Sequence, residues 1–288
     1  MRPHTPSYRR IAVPVLSLAC LLTVAACAKG PAHPVMTMPT TKRANTWSGP
    51  PSPGTAEAGW PRRPTTQVVF SGSRHSGLVA LTFDSNLTTA MIQRLRRGQV
   101  RSYDNHAVID ELIALHVPAT FFLSGLWMLQ YPAETHRIAN NLLFEVGTHS
   151  FSHRGFRPRC YDLGTLPVTQ MSADVLHAER VLARFTDHPS PYFRFPGGCY
   201  DRTALAAIAP SGVTVIQYDV ASGDAFGTNV AQIVAHTLAD TRSGSIVVLH
   251  ITGGDTAPLT ALALPQIVHG LRARGLRPVS ISQLLRAT

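Results

Sequence analysis

The sequence predicts a parallel α/β architecture, on three observations. Apolar runs of strand length alternate with segments of helical periodicity across residues 67–288. At least five of those runs close on an acidic, imidazole or guanidinium group. The 288 residues, 44% of them hydrophobic, suffice to bury the core of one large domain. In a parallel sheet or barrel the C-terminal strand ends form the functional rim, so polar residues recurring at strand ends share a destination there.

Residues 1–27 read as an export signal. Arg2, Arg9 and Arg10 precede an apolar run from Ile11 to Ala26 that is too short and too abruptly ended for a membrane span. The run closes on Thr23-Val-Ala-Ala-Cys27, which resembles the lipobox of bacterial lipoproteins and makes Cys27 the expected lipidation site. The remainder is then expected outside the cytoplasm, as a membrane lipoprotein facing the cell wall or as a secreted protein. Residues 28–66 hold eight prolines among Thr, Ser, Gly and Ala with no hydrophobic periodicity, the composition of a disordered tether. The formal charge is +10, and all but Lys29 and Lys42 of the 26 basic residues are arginine. That balance favours anionic surfaces such as wall polymers or lipid headgroups, while the lack of a basic run interleaved with aromatics argues against nucleic acid.

Within residues 67–288 the elements follow in order. Gln67–Phe70 and Leu78–Phe83 read as strands, the second ending in Asp84-Ser85-Asn86; a carboxylate at the exit of a buried strand is costly without a partner or a task. Helical spacing follows over Thr88–Arg97 and Asn105–His116, then a strand over Pro118–Leu123, a helix over Pro132–Asn140 and a strand over Leu142–Gly147. That last strand delivers His149 and His153, whose i, i+4 spacing on a helical turn sets both imidazoles on one face, within reach of one metal ion.

After an irregular stretch containing Cys160, Ser172–Phe185 has the spacing of an amphipathic helix. Tyr192–Tyr200 brings Arg194, Pro196, Gly197, Gly198 and Cys199; free N–H groups of the two glycines suit a developing oxyanion, though a simple strand-capping turn explains them equally. Val213–Tyr218 is a strand ending in Asp219 and, five residues on, Asp224. A helix over Asn229–Ala239, a strand over Ser245–Leu249 with His250 at its end, a helix over Ala261–Arg274 and a short strand over Arg277–Ile281 complete the series.

Across roughly residues 67–285 the residues Thr82-Phe-Asp84, His149-Ser-Phe-Ser-His153, Arg194-Phe-Pro196, Asp224 and Leu249-His250 resemble the motifs of the polysaccharide deacetylases, the NodB-homology carbohydrate esterases. The resemblance implies a distorted (β/α) barrel and metal-dependent removal of N-acetyl groups from an amino-sugar polymer, peptidoglycan or a chitin-like polysaccharide. It also implies roles: Asp84 as base, His149 and His153 as ligands of a divalent metal, Arg194 as the partner of Asp84, His250 as acid and Asp224 as its orienting carboxylate. Gly197 and Leu249 fall at the substrate and oxyanion positions. Zinc suits imidazole ligands.

The chain departs from the family at three places. Ser85 stands where a second, metal-binding aspartate is usual, leaving water or Asn86 to complete the metal site. Gly197 and Ala225 stand where aromatics are common, which opens the sugar groove. Two alternatives remain: a catalytically impaired carbohydrate-binding barrel that lost its metal through Ser85, and a glycoside hydrolase using Asp84 and Asp224 as its carboxylate pair. Cys160 and Cys199 are the only cysteines outside residues 1–27, and in an oxidising compartment they are expected to pair, the alternative being two buried thiols.

Overall fold

In a computed structural model, residues 66–287 are described; the expected signal segment 1–27 with Cys27, and all but the last residue of the tether, lie outside them. The described residues all fall within one compact unit. No helix among them is long and apolar enough to cross a membrane.

The elements run β1 (Val68–Val69), β2 (Leu78–Ser85), α1 (Thr89–Arg96), α2 (His106–Ala114), β3 (Ala119–Leu123), α3 (Gly125–Gln130), α4 (Pro132–Ala139) and β4 (Phe144–Thr148). They continue with α5 (Val168–Leu182), β5 (Tyr192–Phe193), α6 (Arg202–Ile208), β6 (Thr214–Ile216), β7 (Val220–Ala221) and α7 (Val230–Asp240). The chain then closes through β8 (Ile246–His250), α8 (Thr260–Ala273), β9 (Arg277–Val279) and α9 (Ile281–Arg286). Every strand pairing is parallel, in the order β1-β6-β5-β4-β3-β2-β8-β7, with β9 beside the first half of β2. This is the α/β distorted barrel expected from the sequence.

The centre of the sheet explains its stability. All eight residues of β2 and all five of β3 are buried, as continuous apolar runs between helices must be. The main core packs β2, β3 and β8 against α2 and α8 through side chains such as Leu81, Phe121, Ile109, Leu249 and Leu264. Helix starts are locally encoded: Thr88, Asp201 and Asn229 accept N-terminal N–H groups, and Ser280 with Gln283 forms a reciprocal cap on α9.

Register places the chemistry. Asp84 on β2 pairs with His250 on β8, and Thr148 on β4 with Phe193 on β5, so His149 and Arg194 leave their strands side by side. At Gly147 a Cβ would press into the Tyr192 carbonyl oxygen, so the close approach of β4 and β5 requires glycine.

Two expectations need correction. His149 and His153 are not on a helical turn: the segment after β4 is irregular, with left-handed φ at Ser150 (63°) and His153 (52°). Asp219 does not join the functional rim, because its carboxylate accepts from the N–H of Ile246, the first residue of β8, and pairs with Arg74.

Candidate active site

Asp84, Asn86, His149, His153, Gly197, Asp224 and His250 line one cavity of about 280 Å³, at the C-terminal ends of the strands. Beneath it lies Arg194, fully buried, reaching from the end of β5 across to β2. Its Nη1 donates to Asp84 Oδ1 (2.8 Å) and Thr82 Oγ1 (2.7 Å), and its Nε to the Ile216 carbonyl (3.0 Å). The guanidinium also stacks over Phe122 at 4.1 Å. A buried cation persists only when paired and hydrogen-bonded, and Arg194 meets both conditions with Asp84 as counter-ion.

The Arg194 backbone orients a second group. His149 Nδ1 lies 2.8 Å from the Arg194 carbonyl, which only accepts, so Nδ1 carries the proton and Nε2 keeps its lone pair. That nitrogen lies 3.6 Å from Asp84 Oδ2. His153 lies beside it with its plane inclined by 56°, ring centroids 5.0 Å apart, and both of its ring nitrogens are buried without a partner. Burial pushes the pKa of His149 down against the raising effect of Asp84, and burial with the neighbouring imidazoles pushes that of His153 well down. Both rings are thus neutral and able to act as ligands.

These donors fit a divalent metal. Two neutral imidazoles, one with an oriented lone pair and one with unpartnered nitrogens, adjoin a carboxylate, and orphaned buried nitrogens are costly unless something binds them. Among the described residues no group of three or more His, Cys, Asp or Glu side chains is arranged around one point, so the acidic set is short of a member. Ser85 does not fill the gap: it is fully buried, its Oγ accepts from the Ser124 N–H (3.0 Å), and it is not among the cavity-lining residues. Asn86 does line the cavity, and its Oδ1 is buried with no partner.

Across the cavity, Asp224 holds His250 at two atoms. Its Oδ1 accepts from His250 Nδ1 (2.7 Å) and its Oδ2 from the His250 backbone N–H (2.8 Å), while Ser222 and Thr260 hydroxyls donate to the same carboxylate (2.9 and 2.7 Å). Burial alone would lower the His250 pKa, but the Asp224 charge and hydrogen bond, with Asp84 behind them, raise it overall. For Asp224, burial works upward and is outweighed by His250, Thr260 and Ser222, so its pKa is lowered. With both oxygens engaged, Asp224 serves His250 rather than offering a second free carboxylate, against the glycosidase alternative.

Leu249 lies in the apolar core instead of lining the cavity. Ser222 and Thr260 are not legible as site residues in the sequence: Thr260 is 36 residues from Asp224, and no local pattern links them.

Cys160 and Cys199 form the expected disulfide, joining the loop after His153 to the loop after Arg194. Closing a loop of 39 residues stabilises by roughly 3 to 4 kcal/mol on the chain-entropy model. A Cys160→Ser/Cys199→Ser double variant is therefore expected to melt lower by several degrees and to lose activity before it unfolds. Non-reducing peptide mapping checks the bond, and two alkylatable thiols in exported protein would contradict it.

A family model described as polysaccharide deacetylase matches residues 71–216. A peptidoglycan-N-acetylglucosamine deacetylase of Bacillus cereus is 24% identical over 220 residues, covering 76% of this chain and 72% of that protein. A chitooligosaccharide deacetylase of a Bradyrhizobium species is 28% identical over 188 residues, covering 62% of this chain and 82% of that protein. The crystal structure of a peptidoglycan N-acetylglucosamine deacetylase matches with a TM-score of 0.64 at 24% identity, covering 78% of this chain and 94% of that one. With half of the sequence matched by the family model and the fold shared, the chain belongs to the polysaccharide deacetylase family, a hydrolase acting on carbon–nitrogen bonds other than peptide bonds.

Proposed function

We propose that this chain is an exported, divalent-metal-dependent deacetylase that removes N-acetyl groups from an amino-sugar polymer of the cell wall or of chitin-like type. The observation that carries the reading is one cavity bringing together a carboxylate paired to a buried arginine, two neutral imidazoles and a carboxylate-bound histidine.

Amide hydrolysis needs an activated water, a polarised carbonyl and a proton for the departing amine. His149 and His153 would hold the metal, with Asn86 Oδ1 in place of the missing acid. Bound there, a divalent ion such as zinc polarises the acetyl carbonyl and acidifies water. Asp84, fixed by Arg194, takes the proton from the attacking water; His250, fixed by Asp224, gives one to the leaving nitrogen. Gly197 lines the cavity, and its N–H would donate to the oxyanion. Residues 1–27 would direct export and Cys27 would carry the lipid anchor, which the N-terminal mass of the exported protein tests.

Metal titration and acetate release test the site together. The parent chain is expected to bind about one divalent ion and to release acetate from N-acetylated wall or chitin fragments. His149→Ala/His153→Ala should lose the metal, and Asn86→Ala should weaken binding by at least about tenfold, the scale seen even for partners of metal ligands. Metal retention unchanged in the double histidine variant overturns the assignment. Sugar binding with neither metal nor acetate release would support the impaired-barrel reading, which Ser85 favours by leaving the metal without its usual acid.

A further inference from the structure

We propose that Tyr161 and Phe226 form an aromatic platform that receives the apolar face of a pyranose ring next to the acetylated sugar, and so select the polymer that reaches the cavity. The proposal rests on the deacetylase reading above. Both rings line the mouth of the cavity, and both are exposed, Tyr161 at 64% and Phe226 at 73%. Their centroids are 5.8 Å apart with planes inclined by 31°, so the two rings meet as one exposed aromatic cluster.

Each ring is held outward by its own loop. Tyr161 has φ of 47°, a left-handed conformation costly for a bulky residue, and it follows Cys160, which the disulfide ties down. A Cβ at Gly197 would lie 3.0 Å from both Cys160 Sγ and the Tyr161 ring, so that glycine makes the seat on which Tyr161 rests. Phe226 caps a turn in which its N–H donates to the Gly223 carbonyl (3.1 Å). The next residue, Gly227, packs where a Cβ would strike Ile233 of α7, and this close seating turns the Phe226 ring to solvent.

The same cavity lining includes Gly197, Gly198 and Ala225, three residues with no side chain beyond a methyl group. A sugar ring has an apolar face of axial C–H groups, attracted to the negative face of an aromatic ring, and an equatorial rim of hydroxyls that stays in water. An exposed aromatic pair that lines the same cavity as the reacting groups matches that shape.

The test uses the full chain with penta-N-acetylchitopentaose. Tyr161→Ala and Phe226→Ala are each expected to raise KM by about tenfold with kcat changed by less than about twofold, the signature of lost uniform binding. Tyr161→Phe and Phe226→Trp should restore the parent KM, which a merely structural defect would not allow. Calorimetric binding of the same sugar separates this proposal from the deacetylase reading. A parent that binds the sugar and loses affinity about tenfold in the alanine variants retains the platform even if no acetate is released. Equal affinity in parent and alanine variants, no binding by the parent, or a fall in kcat alone overturns it.

Discussion

Asp84→Asn is expected to lower acetate release by about a thousandfold while leaving metal content nearly unchanged. The magnitude is that of losing a positioned general base. The selectivity follows from geometry: Asp84 Oδ1 is committed to Arg194, and of the two imidazoles proposed to hold the metal, His149 is oriented by the Arg194 carbonyl rather than by Asp84 Oδ1. The substitution also leaves the buried Arg194 without its counter-ion, a loss that costs roughly 3 to 5 kcal/mol at such sites. Thr82, Ile216 and Gln217 still accept from the guanidinium, which puts the loss toward the lower end. Circular dichroism at the assay temperature checks that the variant is folded, and acetate and metal are then measured on the same sample. Activity near the parent level removes Asp84 as the base; metal lost along with activity makes it a ligand.

Asp224→Asn is expected to lower kcat/KM by about a hundredfold at mildly alkaline pH and to move the alkaline limb of the pH profile toward acid. In the folded chain His250 holds its proton above the usual imidazole range because Asp224 faces it. The protonated acid therefore persists as pH rises through the ordinary imidazole value and is lost only as pH passes the raised one. An uncharged partner removes that support, and burial, the opposing effect, then acts to lower the pKa. His250 is 16% exposed and reports directly to an NMR titration of its ring protons. A limb that stays in place in the variant means that His250 is not the proton donor.

The sequence made the frame legible because buried parallel strands are continuous apolar runs: β2, β3, β4 and β8 fall within a few residues of their expected bounds. The charged residues that close those runs were equally visible, and Asp84, His149, Arg194 and His250 meet as expected. Three helices were missed. α3, α6 and α9 are six or seven residues long, under two turns, too short for a 3.6-residue period to register. The histidine pair was foreseen with the wrong backbone, because left-handed φ at Ser150 and His153 leaves no mark in residue type. Asp219 does not close a strand because it immediately precedes β7, a strand of two residues too short to register in the sequence, and so meets the start of β8 beside it.

Asp84 and His250 are register partners on adjacent parallel strands, so the spacing of the two groups proposed to move protons is set by the sheet's own hydrogen-bond ladder. Tyr161 and Phe226 are not part of that pairing, although Asp224, two residues before Phe226, holds His250 from the same loop. Substitutions of those two side chains would change the polymer presented while the chemistry keeps its gauge. Exchanging the two aromatics alone is therefore a route to new substrates that leaves Asp224 and the interior of the sheet untouched.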